Sequence, residues 1–442
     1  MKIKIDSRKV VKGDTFIAIR GVKEDGHKYI KDAIENGADT IVAEYGDYDV
    51  NTIIVSDTKK YLEEYLENNY YDDIKNLKLI GMTGTNGKTT TCFLIYEALN
   101  KVNKKCAYIG TLGFFINGKS INTSNTTPNL YEIYNMLLEC LENDCEYVVM
   151  EVSSQGISMG RVNTLMFDYV IFSNLTQDHL DYHKTMENYL MSKQKLFTMT
   201  RDGYAIINSD DKYYKYFMLD NKNITYGKNS KDFKISNIKS SLNGSEFYLN
   251  DTLYSTKLVG EYNIYNVSVV IILLKLLGID NIQEIILSLN PPKGRMDIIK
   301  YNENNIIIDY AHTPDAVEKI IKAVLNLPHN RIITIIGCGG NRDKTKREIM
   351  GSIATKYSDY VVFTSDNPRF EDPQSIINDI VQKLDSKNYE INVNREKAII
   401  RGIQMLEKND ILLLLGKGHE EYQVIGDKVI PFSDKNIVLK NI

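Results

Sequence analysis

Along most of the chain, short apolar runs alternate with longer stretches whose apolar positions recur at helical spacing, the pattern of strands threaded between helices. Between Leu77 and Asn208 the runs Lys78–Met82, Tyr147–Val152, Tyr169–Phe172 and Tyr204–Ile207 are short and nearly continuous. Strands of that kind, separated by helical segments, predict βαβ units and a doubly wound, mostly parallel sheet. Residues 1 to about 75 mix short Ile/Val segments such as Thr52–Val55 with a helix near Tyr29–Asn36 that Gly37 ends, a small α/β module. Residues 223 to 259 are polar with short alternating segments, which predicts an antiparallel excursion before the apolar helix Ile264–Leu277. After Pro291, Pro292 and Gly294 the alternation restarts, with strands expected at Ile306–Asp309, Ile332–Gly337, Tyr360–Thr364 and Ile411–Leu415. The expected fold is α/β in three domains: residues 1–75, 76–294 and 295–442, the last Rossmann-like.

Composition narrows the function classes. A chain of 442 residues with 43% hydrophobic and 25% charged positions has the make-up of a globular protein. No apolar run reaches the roughly 18 residues needed to cross a bilayer. The N-terminal segment MKIKIDSRKV lacks the apolar core of a secretory signal, and the five cysteines show no CxxC spacing, so a reducing, cytoplasmic location is expected. A net charge of −4 without a basic run gives no footprint for nucleic acid, leaving small molecules as the expected partners of a monomer.

Residues 81–90 read GMTGTNGKTT, a glycine turn after a strand and before a helix, where free backbone N–H groups and the helix dipole attract phosphate. Gly84, Thr85, Asn86 and Gly87 form the turn, Lys88 reaches the terminal phosphates, and Thr89, followed by Thr90, supplies a hydroxyl of the kind that ligates Mg²⁺. Met82 stands where the strict phosphate-loop pattern has its first glycine. Glu151 ends the run YVVME at the sheet edge where open α/β folds bind ligands, and is either a second Mg²⁺ ligand or an ion-paired acid. His179 and His183 stand HxxxH without a third zinc ligand at suitable spacing, so His183 caps or packs.

GTNGKTT, EVSS, SNLTQDHLDYH (Ser173–His183), DYAHTPDA (Asp309–Ala316), GCGGNRDK (Gly337–Lys344), DNPR (Asp366–Arg369) and GKGHE (Gly416–Glu420) follow one another in an order that resembles the Mur ligases. The resemblance implies an ATP-dependent amide ligase that phosphorylates a substrate carboxylate and joins an amine to it in peptidoglycan precursor synthesis. It implies ATP and Mg²⁺, with Thr89 and Glu151 on one ion and His179 with a carbamylated Lys193 on another. Without it, Lys193 is an ordinary solvated helix lysine. By the same resemblance, Asn266 lies on the adenine side, Asp309 and His312 lie near the ribose, and Arg295 assists domain closure or pairs with Asp297. Arg342, Asp343 and Lys344 swing cationic groups onto the γ-phosphate, or else form a surface salt-bridge cluster.

For the acceptor, a UDP-MurNAc-dipeptide, the matching positions are Ser7 with Arg8, Thr126, Thr127, Ser153 and Arg161; for the incoming amino acid they are Asp366, Asn367, Arg369, Gly416 and Glu420. DNPR resembles the signature for meso-diaminopimelate, whose distal carboxylate an arginine grips by two parallel hydrogen bonds, whereas lysine offers only a like charge. Departures fall on the acceptor side: a shortened segment before Asp6, Gln155 in place of histidine, and Ser158-Met159-Gly160 before Arg161. Other assignments are a related ligase for a folylpolyglutamate- or cyanophycin-type acceptor and a nucleotide-binding module without turnover. A kinase or GTPase-like switch accounts for the phosphate loop alone.

Overall fold

The computed structural model describes residues 1–21 and 24–442. Ile3–Lys4, Asp14–Ile17, Ala38–Ala43 and Asn51–Ile54 form a four-stranded, wholly parallel sheet. The expected helix in this module is Ile30–Glu35, preceded by a 3-10 turn at Gly26–Tyr29. Helix Thr58–Ile74, capped by Asp57, turns Leu62, Leu66 and Ile74 onto the same apolar core as the central sheet.

The central sheet has eleven strands. Its parallel middle runs Asn223–Gly227, Thr200–Asn208, Phe167–Phe172, Lys78–Thr83, Tyr147–Glu151 and Cys106–Gly110, with helices packed on both faces. The two inner runs are buried almost end to end, the reason they read as continuous apolar strings. The predicted antiparallel excursion needs one correction. Asn223–Gly227 continues the parallel ladder, because the chain returns over the sheet through the 3-10 turn Tyr214–Phe217; Phe233–Ser241 also joins it in parallel, and antiparallel pairing starts only between Phe233–Ser241 and Gly244–Leu249, then Thr252–Thr256. Helix Glu261–Leu276 is buried around most of its circumference and packs against the helix that follows the phosphate loop.

The C-terminal sheet orders Asp297–Tyr301, Asn304–Asp309, Ile411–Leu415, Ile332–Ile336, Tyr360–Phe363 and Tyr389–Ile391. Only the first pair is antiparallel. The two edge strands are half-exposed, so neither produced an apolar run in the sequence. A hairpin, Tyr422–Ile425 with Lys428–Pro431, follows the last central strand. Arg395, which also donates to Leu415 O, makes a bidentate, fully buried ion pair with Asp434. Among the described residues no helix is long and apolar enough to cross a membrane.

Candidate active site

The phosphate loop is shaped from below. A Cβ on Gly84 would lie 1.9 Å from Ser173 Oγ and one on Gly87 2.6 Å from Asn266 Oδ1, and both glycines have positive φ, so neither position accepts a side chain. Met82 is fully buried within the strand and paired opposite Glu151, which places it beneath the loop, where glycine is not needed. Asn174 holds the loop by accepting from Asn86 N (2.9 Å, side chain) and Thr85 N (2.8 Å, backbone). Helix Lys88–Lys101 begins without a side-chain cap, leaving its first N–H groups for an anion. Lys88 Nζ curls onto the carbonyl oxygens of Gly84 (2.6 Å) and Thr85 (2.9 Å), and burial holds its pKa below the usual lysine range against the pull of Glu151 and Asp178.

Glu151 is completely buried. Its Oε1 accepts from Tyr108 Oη (2.5 Å) and Thr111 N (2.8 Å), and its Oε2 from the hydroxyls of Thr89 (2.9 Å) and Thr111 (3.1 Å). Sequence reasoning named Thr89 and missed Tyr108 and Thr111, which orient the carboxylate. Thr111 stands in the turn after Cys106–Gly110, where YIGTLG was the available signal.

His179 sits at φ +54 in front of the short helix Leu180–His183, with Nε2 3.3 Å from Asp178 Oδ2. Burial pushes it down to about 3; Lys193 and Lys88 push the same way, and Asp178 opposes them. Asp178, absent from the expected set although adjacent to His179, is buried; burial disfavours its charge, but His179 and Lys346 outweigh that and hold its pKa below the usual carboxylate range. His183 packs against Tyr189, ring centroids 5.1 Å apart, with Nε2 2.9 Å from Ser154 Oγ. Lys193 is not a solvated lysine: it is 1% exposed, donates to Gly84 O (2.8 Å), and lies 4.5 Å from the Tyr189 ring centroid. Its burial lowers its pKa far below that of a free lysine.

The C-terminal unit closes over this edge. Asn86 Nδ2 donates to Asp315 (2.7 Å), Arg295 Nη2 to Thr89 Oγ1 (3.2 Å), and Lys346 pairs with Asp178 (3.7 Å). Arg295 stacks on Tyr310 at 4.4 Å and does not pair with Asp297, which is taken by Lys435. Asp309 is buried and accepts from Met296 N and Ala311 N; burial raises its pKa. His312 is pushed down to about 4, chiefly by burial. Between the units lies a cleft of about 1110 Å³ lined by residues 85–90, Glu151, His179, Asn266, Arg295, Asp309 and His312.

Two further groups line the same cleft. Thr126, Thr127, Ser153 and Arg161 form one wall; Arg161 Nη1 donates to Thr127 O (2.7 Å), and Thr127 Oγ1 to Glu151 O (2.9 Å). Arg342, Asp366, Asn367, Arg369, Gly416 and Glu420 form the other. A Cβ on Gly416 would meet Asp366 Oδ2 at 2.5 Å. Among the expected positions, Lys193 reaches the loop at Gly84 O but does not itself line the cleft, and Ser7, Arg8 and Lys344 are not brought in. Ser7 is buried in the 3-10 turn Ser7–Lys9, and Arg8 points to solvent, pairing with Asp6. Lys344 is 66% exposed and pairs with Glu371, whereas Lys346, two residues on, reaches the cleft. The surface-cluster reading therefore describes Lys344, while Arg342, itself exposed to solvent, lines the cleft.

A parallel α/β sheet opening a phosphate loop onto a cleft with a second α/β unit defines a nucleotide-binding, multidomain protein of the ligase type. The Mur ligase middle domain matches residues 82–274, the Mur ligase glutamate ligase domain residues 294–418, and the Mur ligase family catalytic domain residues 2–78. The chain belongs to the Mur ligase family. It is 42% identical over 456 residues to the UDP-N-acetylmuramoyl-L-alanyl-D-glutamate–2,6-diaminopimelate ligase of Clostridium perfringens (strain 13 / Type A), covering 99% of this chain and 93% of that one. Identity to the enzyme of the same name from Aquifex aeolicus (strain VF5) is 41%, covering 99% and 92%. A solved structure of a UDP-N-acetylmuramoyl-L-alanyl-D-glutamate–2,6-diaminopimelate ligase superposes with a TM-score of 0.68 at 31% identity, over 100% of this chain and 94% of that chain. The MurF ligase of Thermotoga maritima in complex with ADP shares the fold, with a TM-score of 0.73 at 20% identity over 99% and 96%.

Proposed function

We propose that this chain is an ATP-dependent ligase that joins meso-diaminopimelate to the D-glutamate carboxylate of UDP-N-acetylmuramoyl-L-alanyl-D-glutamate, releasing ADP and phosphate. The observation that carries it is the single cleft in which the phosphate loop, the Thr126–Arg161 wall and the Asp366–Glu420 wall meet. The γ-phosphoryl group passes from ATP to a carboxylate oxygen; the amine nitrogen then attacks the acyl carbon, and phosphate leaves from the tetrahedral adduct. Bringing a carboxylate to a triphosphate joins two anions, so cations must surround the meeting point. Lys88 is placed at the loop, and Arg342 of the other unit lines the same cleft.

Thr89, Thr111 and Glu151 offer hard oxygen donors, and both hydroxyls can turn their lone pairs to a cation at Glu151 Oε2, so the donor set fits Mg²⁺. Bound there, the ion would neutralise phosphate charge. His179 together with Lys193 as a carbamate would hold a second ion; burial depresses the Lys193 pKa and so favours the neutral amine that carbamylation requires. Thr126, Thr127, Ser153 and Arg161 orient the acceptor, and Asp366, Asn367, Arg369 and Glu420 the amino acid. All five cysteines are free and buried, which supports a reducing, cytoplasmic location.

The test is ADP release by purified protein with ATP, Mg²⁺ and the UDP-sugar dipeptide, offering meso-diaminopimelate or L-lysine separately. Release that depends on diaminopimelate supports the assignment. Release with neither amino acid points to a different acceptor or to a protein without turnover.

A further inference from the structure

Behind the amino-acid wall lies a buried cation that the proposed reaction does not use. Lys417 is completely buried and does not line the cleft, so it cannot touch a ligand there. Its Nζ donates to Asn367 Oδ1 (3.2 Å) and Glu420 Oε2 (2.9 Å), with the Tyr422 and Phe432 ring centroids 5.7 and 6.0 Å away. A lysine ammonium out of water is costly unless paired, and both partners here belong to the amino-acid wall.

The contacts dictate what that wall presents. Asn367 Oδ1 also accepts from Val424 N (3.0 Å), so two donors fix this end of the amide as oxygen, and Nδ2 is left to donate to Glu420 Oε2 (2.9 Å) with one N–H to spare. Glu420 Oε2 is thus occupied twice, and Oε1 remains for a ligand ammonium. Arg369, in the left-handed region at φ +52, is held by Arg369 N to Val424 O (3.0 Å) and Gly426 N to Arg369 O (2.6 Å). Its Nη1 is committed to Gly340 O (2.8 Å), and the rest of the guanidinium remains for a carboxylate.

Charge completes the picture. Three cations (Arg342, Arg369 and Lys417) stand against two carboxylates (Asp366 and Glu420), because Arg395, the other buried cation nearby, is neutralised by Asp434 at 2.6 Å. A lone ammonium raises that positive excess, whereas an end carrying both an ammonium and a carboxylate leaves it unchanged and gives the Arg369 guanidinium a counter-charge.

We propose that Lys417 is a positioning residue that makes this subsite select an amino acid whose distal end bears both charges, by neutralising Glu420 and fixing the Asn367 amide. The proposal rests on the ligase reading above.

The experiment compares the wild-type protein with Lys417→Met in steady-state ADP release, measuring kcat and KM for meso-diaminopimelate, L-lysine and ATP. Two charge-assisted hydrogen bonds are lost, so KM for diaminopimelate should rise about 10- to 100-fold. kcat and KM for ATP should stay within a few-fold, and the preference for diaminopimelate over lysine should fall at least about tenfold. An unchanged preference, or equal losses in every parameter, overturns the proposal. Should Lys417→Met fail to fold, Glu420→Gln is compared with Glu420→Gln combined with Lys417→Met, which leaves no unpaired charge buried. The double variant should then be the less selective by at least about tenfold, and equal selectivity overturns the proposal. A wild-type protein inactive with both amino acids refutes the diaminopimelate-adding reading instead.

Discussion

Lys346→Met tests whether the docking of the C-terminal unit assembles the site. Among the described residues, Lys346–Asp178 is the ion pair that joins the central and C-terminal units, at 3.7 Å with both side chains less than a tenth exposed. Methionine keeps the stem and removes the charge. At an effective dielectric of about 20, the Coulomb attraction over that distance is about 4 kcal/mol. Part of it is regained if the units separate and Asp178 is rehydrated, so the docked arrangement should lose about 2 to 4 kcal/mol. That shifts the balance between open and docked forms by about 30- to 1000-fold. The measurements are kcat and KM for ATP in ADP release, together with the radius of gyration from solution scattering. kcat should fall at least about tenfold while KM for ATP moves less, because the phosphate loop lies wholly on the central unit. Lys346→Arg should recover most of the loss. Lys344→Ala, at an exposed pair with Glu371, should cost less than about 1 kcal/mol and leave kcat nearly intact. A Lys346→Met protein with wild-type scattering and kcat within twofold would refute the reasoning.

Arg369→Ala removes the guanidinium that faces the cleft and should raise KM for diaminopimelate at least about 30-fold while ATP binding is retained; equal loss of both would remove Arg369 from specificity. Lys193→Ala should be nearly inactive and partly rescued by short carboxylic acids, and a folded, ATP-binding variant without rescue would count against the carbamate. His312 is pushed down to about 4 and His419 to about 3, so each is neutral in the folded chain, whereas the unfolded chain takes up the proton near pH 6.5. Their contribution is therefore whole above pH 6.5 and is lost as the pH falls from 6.5 toward 4, by at most about 1.4 kcal/mol per pH unit for each histidine. A thermal midpoint that stays flat from pH 7 to 4.5 would contradict this.

The strands were legible where burial on both faces writes an unbroken apolar run, as at Lys78–Thr83 and Ile411–Leu415. They were not where one side meets water, as at the edge strands Asp297–Tyr301 and Tyr389–Ile391. Lys344 and Lys346 show the same limit at the site. Residues two apart on a helix point about 200° away from each other, so of two lysines in DKTK only one can face the cleft, and the string does not say where the helix begins. Helix Thr345–Tyr357 starts after Lys344, which sends Lys346 inward. Tyr108 and Thr111 are a third kind of omission: they serve Glu151 across 43 and 40 residues, and no local pattern reports a contact of that range.

Three polar contacts between the units share a destination. Asp315 takes the Asn86 side chain of the phosphate loop, Arg295 donates to the Thr89 hydroxyl, and Lys346 pairs with the aspartate beside His179. Each comes from a different segment of the C-terminal unit, and each lands within one residue of a group assigned to phosphate or metal. Loop, hydroxyl and histidine are therefore held by the unit that also carries Arg369 and Glu420. Docking that brings Arg369 and Glu420 to the cleft also fixes the phosphate loop, the Thr89 hydroxyl and Asp178, so under the proposed assignment an undocked protein should bind nucleotide without transferring its phosphoryl group.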